Sequence, residues 1–199
     1  MPRIFIVMGK SATGKDTIYK RLLEREELEL KTAVMYTTRP IRHSEVNGVE
    51  YHFVEEETLF ELQRQNKIIE HRSYETVHGT WHYFTVNDGQ IDLEKADYLM
   101  IGTLETYAQI REYFGKEKVI PIYIEVEDGV RILRALKREQ KQVIPKYAEM
   151  CRRYLADEED FSDENLQKHG IEKHYPNIDI NLCLKEIEQD IKNYTVKHK

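Results

Sequence analysis

Apolar residues fall in short unbroken runs, and these alternate with stretches in which apolar positions recur at helical spacing. The run Arg3 to Met8 is apolar on both faces, the pattern of a strand buried in a parallel sheet. Lys15 to about Glu27 reads as a helix and Leu30 to Tyr36 as a second strand. Phe60 to Gln65 reads as helix, and His82 to Val86 is strand-like. Tyr98 to Ile101 is a further buried strand. Tyr107 to Phe114 is a helix that Gly115 closes. Val119 to Val126 is a strong strand in which Pro121 predicts a bend or a break in pairing. Gly129 to about Gln140 is basic along one side, and Arg152 and Arg153 begin a further helix. Asn181 to Asn193 is amphipathic through Leu182, Leu184, Ile187 and Ile191, and Thr195 to Lys199 reads as a frayed tail. Strands alternating with helices predict an α/β chain: a parallel sheet flanked by helices, with ligands at the carboxyl ends of the strands.

Composition narrows this picture. At 199 residues the chain is one domain with room for its own core. Hydrophobic residues make up 40% and charged residues 33%, as in a soluble globular protein. With 30 Lys and Arg against 36 Asp and Glu, the formal net charge is −6, which argues against a general nucleic-acid binder. Cys151 and Cys183 have no zinc spacing, and a reduced, cytoplasmic setting suits them. The N-terminal apolar run is too short for a signal peptide or a membrane span. The sequence leaves the oligomeric state open.

Chemistry enters at Gly9-Lys10-Ser11-Ala12-Thr13-Gly14-Lys15-Asp16-Thr17, between the first strand and the first helix. Glycines let the backbone curve so that successive N–H groups point at an anion, and the positive end of a helix faces it. Lys15 adds a mobile charge for the β- and γ-phosphates of a nucleotide. The position after the lysine, usually Ser or Thr on Mg²⁺, holds Asp16, with Thr17 next. A second polar stretch, Thr37 to Phe53, is broken by Pro40 and Gly48. In it Arg39 and Arg42 suit the oxygens of one phosphate monoester, Tyr51 can donate to the same group, and Glu45 can accept from a base with adjacent N–H donors, as guanine has. His71, His78 and His82 raise a metal reading, which Gly79 and the strand-like run after it oppose; stacking or packing is the better reading.

Thr37-Thr38-Arg39, Arg42, Glu45, Asn47-Gly48, Glu50-Tyr51 and Phe53, following the phosphate loop, resemble the guanylate kinase family in order and without a gap, and thinner similarity runs to about residue 185. The resemblance implies a P-loop three-layer α/β core (about 1–35, 89–137 and 153–199), a small GMP-binding subdomain (about 36–88) and a lid (about 138–152). It implies transfer of phosphate from ATP to GMP. ATP would be held by Gly9, Ser11, Thr13, Gly14, Lys15, Asp16, Thr17 and Asn177. GMP would be held by Arg39, Arg42, Glu45, Tyr51, Glu70, Tyr83 and Thr85. Lys15, Arg138 and Arg153 would stabilise the transferring group, and Mg²⁺ would be held through phosphates, water and Asp16 or Thr17. His78-Gly79-Thr80 rivals Tyr83-Phe84-Thr85 as the family's Tyr-Gly-Ser/Thr segment.

Four positions depart from the family: Asp16, Met35 where a serine is usual, and Gly102 and Leu104 where acidic residues end the strand, leaving Glu105 as the nearby carboxylate. These keep two alternatives open, a related P-loop kinase for another nucleotide or small phosphorylated acceptor, and a non-catalytic guanylate-kinase-like binding module. The acidic run Asp157 to Asp160 reads as a solvated face.

Overall fold

The computed structural model describes residues 2–43, 45–76 and 79–196. The expectations that rest on His78 therefore lie outside the described residues. Four parallel strands form the central sheet in the order β6-β1-β7-β8: β1 (Ile4–Met8), β6 (Tyr98–Ile101), β7 (Val119–Glu125) and β8 (His174–Pro176). All five residues of β1 are buried, because alternate side chains feed two cores. Ile4, Ile6 and Met8 pack with Tyr107 and Ile110 of α3 (Leu104–Phe114) and Leu166 of α6 (Asp163–Lys168). Phe5 and Val7 pack with Ile18 and Leu22 of α1 (Lys15–Leu23) and Ile187 and Ile191 of α7 (Ile180–Val196). Helix, sheet and helix thus make three layers, the α/β architecture expected.

A second, mixed sheet has the order β3-β2-β5-β4: β2 (Tyr36–Thr37), β3 (His52–Phe53), β4 (Ile68–Thr76) and β5 (Gly79–Val86). It packs Phe84 and Val86 against Leu59 of α2 (Glu56–Arg64). Two more helices, α4 (Asp128–Glu139) and α5 (Tyr147–Asp160), flank residues 140–146.

Several expected elements differ. The first helix stops at Leu23, and a 3₁₀ turn, Glu26–Leu28, follows. Of the expected strand Leu30 to Tyr36 only Tyr36 lies in one, β2: Lys31 makes a single bridge to Tyr98, and the Gln90 carboxamide takes a neighbouring strand's place at Val34, accepting from its N–H (2.8 Å) and donating to its carbonyl (3.2 Å). Pro121 breaks no pairing, since β1 and β7 stay in register from Val119 to Tyr123 and β8 begins only opposite Tyr123. The C-terminal helix continues to Val196, with Thr195 bonded to the Ile191 carbonyl and to Asp97, so that part of the expected frayed tail is ordered helix. Among the described residues no helix is long and apolar enough to cross a membrane.

Candidate functional site

Because the central strands are parallel, their carboxyl ends share one edge, and the loop 9–14 leaves β1 there. Its glycines are dictated by space. A Cβ on Gly9 would lie 2.5 Å from the Ile124 carbonyl oxygen. Gly14 has φ +88°, and a Cβ there would lie 2.7 Å from Asn177 Nδ2. Asn177 is buried and donates to the Thr13 carbonyl at 2.7 Å. Its amide nitrogen is engaged in tying down the loop, and Thr13 turns its own buried hydroxyl back to the Lys10 carbonyl. Asp16 and Thr17 are exposed.

The loop is gripped from outside by α4 and α5. Ser11 N–H donates to Asp157 Oδ2 at 2.7 Å, and Lys10 Nζ pairs with Glu158 at 2.8 Å. Arg131, only 1% exposed, donates to Ser11 O (3.3 Å), Asp128 (3.0 Å) and Glu158 (3.0 Å), with its guanidinium over the Tyr154 ring. The expectation that Asp157 to Asp160 is merely solvated is therefore corrected for its first two members. Arg131 likewise leaves the exposed basic stripe in which the sequence had put it. Ser11, expected as an ATP contact, has its backbone N–H and carbonyl turned to this clamp.

Lys15 lies near Asp16, with Nζ 3.9 Å from its carboxylate. Burial pushes its ammonium below the usual range, Asp16 and Asp157 oppose that shift, and Arg153 and Arg138 reinforce it. The three cations expected to act together are thus close enough to feel one another.

The mixed sheet carries the second set. Tyr83 and Thr85 of β5 stand opposite Arg72 and Glu70 of β4. Glu70 is buried and accepts from Thr85 Oγ1 (3.1 Å) and Arg72 Nε (3.1 Å). Burial raises its pKa, the Arg72 charge and hydrogen bond and the Thr85 hydroxyl oppose this, and Glu105 adds to it. Arg39, also buried, grips Glu45 with both terminal nitrogens (2.8 and 2.9 Å), and its guanidinium lies 5.5 Å from the Tyr51 ring. Arg42 contributes its backbone N–H to Glu45 (2.8 Å). Sequence reasoning placed Arg39 on the phosphate and Glu45 on the base; here they are bound to each other.

That pair is expected to make the fold acid-sensitive. The Arg39 hydrogen bonds hold the Glu45 carboxyl below its ordinary value of 4.5. A lowered folded-state value gives stability that is present above pH 4.5 and lost as pH falls through the folded-state value. Thermal melts between pH 6 and 3 are expected to show Glu45→Gln losing less stability than the unaltered protein; parallel losses would refute this.

The histidine expectation resolves into a pair. His71 Nε2 and His82 Nδ1 lie 2.8 Å apart with stacked rings, on the face of the mixed sheet away from Glu70 and Tyr83, and among the described residues no group of three or more His, Cys, Asp or Glu is placed to hold a metal. The missing acidic position at Gly102 has a steric counterpart, since a Cβ there would lie 2.8 Å from Thr106, whose hydroxyl closes a capping box with Thr103 at the start of α3. Residues the sequence did not single out are Arg72, Asp157 and Glu158; the only available signal for Arg72 was its i+2 spacing from Glu70 on one strand face.

A glycine- and lysine-bearing loop leaves the carboxyl edge of a parallel sheet, a second sheet carries arginine, tyrosine and glutamate on one face, and the class is a three-layer α/β protein. The family model described as guanylate kinase matches residues 1–182, and the chain belongs to the guanylate kinase family. It is 39% identical to a guanylate kinase of Neisseria gonorrhoeae over 110 residues, 54% of this chain and 51% of that protein, so the chain spans about half the length of that relative. It is 26% identical to a guanylate kinase of Porphyromonas gingivalis over 199 residues, 99% of this chain and 100% of that protein. A crystal structure of guanylate kinase from Anaplasma phagocytophilum has the same fold, with a TM-score of 0.62 at 21% identity, covering 96% of this chain and 85% of that one.

Proposed function

We propose that this chain transfers the γ-phosphoryl group of ATP to GMP, giving ADP and GDP. The observation that carries the reading is the coexistence, in a member of this family, of Lys15 flanked electrostatically by Arg138 and Arg153 and a separate face carrying Arg39, Glu45, Tyr51, Glu70, Tyr83 and Thr85. Gly9, Gly14 and Lys15 hold the donor phosphates. Arg39, Arg42, Tyr51 and Tyr83 hold the acceptor phosphate, and Glu45 and Glu70 read guanine. A phosphate oxygen is already a nucleophile, so alignment and charge neutralisation supply the catalysis. Residues 36–88 form the acceptor subdomain, and about 138–152 act as a lid that excludes water on closing.

Mg²⁺ suits this site. Asp16 carries a 78% exposed carboxylate at the loop's exit and Thr17 is exposed beside it, so one hard oxygen donor is free to meet a cation that phosphates and water would otherwise hold. When bound, Mg²⁺ would supply charge neutralisation for the nucleotide's phosphates, with Asp16 or Thr17 helping to hold it. The free Cys151 and Cys183 suit a reduced cytoplasm.

One observation favours a second reading, a related acceptor. Thr106 fills the space beside Gly102, and Leu104 is buried, so those positions offer the base no carboxylate. A coupled ADP-release assay with ATP, Mg²⁺ and a panel of nucleoside monophosphates decides. GMP is expected to give the highest turnover; a GMP rate no greater than the acceptor-free control, with another acceptor active, would replace it. A purely binding module has no need for a desolvated lysine among arginines, and it would show no turnover with any acceptor.

A further inference from the structure

We propose that Arg72 is a ligand of the acceptor's phosphate monoester, completing an anion site with Arg39, Tyr51 and Tyr83. The proposal deepens the kinase reading and rests on it. Arg72 lies on β4 directly opposite Tyr83 and is 8% exposed. Its Nε is engaged by Glu70 at 3.1 Å, while its Nη2 points at the Met35 thioether at 3.9 Å. A thioether sulfur is a weak acceptor and Tyr74, which also engages this guanidinium, is neutral, so a buried, permanently charged donor is shared between Glu70 and two neutral groups. A phosphate oxygen is the partner that this donor matches in charge and geometry.

The surroundings place that oxygen. The Arg72 guanidinium lies 5.9 Å from the Tyr83 ring, that ring lies 5.7 Å from the Tyr51 ring, and Arg39 lies 5.5 Å from the Tyr51 ring. Two tyrosines thus stand between two arginines. Each arginine is held by its own glutamate, Arg39 by Glu45 and Arg72 by Glu70. Each pair is neutral before the acceptor arrives, so two buried cations are tolerated a few side chains apart. An arriving phosphate dianion meets donors from both sides, and the carboxylates remain beside it as acceptors for the base. Tyr51 feels both arginines, whose charges pull its phenol down against the rise that burial causes.

The test is a titration of the full chain with GMP and, separately, with guanosine, which lacks the phosphate, followed by NMR at pH 8. Arg72→Met is expected to lower the ratio of GMP affinity to guanosine affinity by about tenfold to a hundredfold, the scale of one charge-assisted hydrogen bond. Arg72→Lys keeps a charge beside Glu70 but loses the planar fork. It is expected to lower the ratio by less, with guanosine affinity held within about twofold. An unchanged ratio, with both ligands weakened alike or neither, overturns the proposal and assigns Arg72 to holding Glu70 only. If Arg72→Met does not fold, the Lys variant decides by the same ratio. Failure of the unaltered protein to bind GMP would instead remove the kinase reading and the proposal together.

Discussion

Lys15→Ala is expected to lower turnover about a thousandfold while leaving GMP affinity within about threefold of its starting value. Removing a single preorganised donor from developing transition-state charge costs about a hundredfold to a thousandfold. Lys15 is in addition a full charge that burial desolvates and that feels the charges of Asp16, Asp157, Arg153 and Arg138. The face on β4 and β5 proposed for the acceptor belongs to the other sheet, which is why GMP affinity is expected to survive. Stability separates this from misfolding. A lysine whose folded-state pKa is lowered by burial costs stability at every pH below that value, and the cost is relieved as pH rises through it. Alanine removes the cost, so the thermal midpoint is expected to hold or rise as activity collapses. Single-turnover ADP formation with parallel GMP titration checks both halves. Loss of GMP binding in a folded variant would mean that donor and acceptor sites have been exchanged.

Arg131→Met is expected to destabilise the chain by about 3 kcal/mol, or roughly 6–12 °C in thermal midpoint for a chain of this size. The residue is fully buried, and its removal leaves Asp128, Asp157 and Glu158 clustered with Lys10 alone, which reaches Glu158 at 2.8 Å and Asp128 at 3.8 Å. The value lies at the low end for a broken buried pair because Asp128 and Glu158 are 47% and 35% exposed and regain water. Loosening of Ser11 follows, so ATP affinity is expected to fall as well, measured by calorimetry at a temperature where the variant is folded. A loss below about 1 kcal/mol would show that Arg131 is a bystander to the loop.

The sequence was most legible where one residue answers to one local constraint. β1 could be read because a strand apolar on both faces has one home in an α/β fold. Gly9 and Gly14 could be read because the backbone itself demands them. Leu30 to Tyr36 misled because its apolar content is strand-like, but the neighbour at Val34 is a side chain, Gln90, and not a strand. Asp157 and Ser11 are 146 residues apart, and periodicity reports which face of a helix is polar, not what that face meets. Arg131 and Arg72 were hidden for a related reason. Charge in a helix or strand reads as exposure; Arg131 is buried because the distant Asp157 and Glu158 join the nearby Asp128 in receiving it, and Arg72 because Glu70, two residues away on the same strand face, is itself buried.

Arg131 on α4 and Asp157 on α5 are fastened to the same residue of the loop, Ser11, and this gives the two helices a common fulcrum. Arg138 stands seven residues beyond Arg131, a lever arm of about 10 Å, and Arg153 stands four residues from Asp157, about 6 Å. A pivot of about 10° about those anchors carries Arg138 through roughly 2 Å and Arg153 through roughly 1 Å. In any such pivot the displacement of each arginine would scale with its distance from Ser11, Arg138 travelling about twice as far as Arg153.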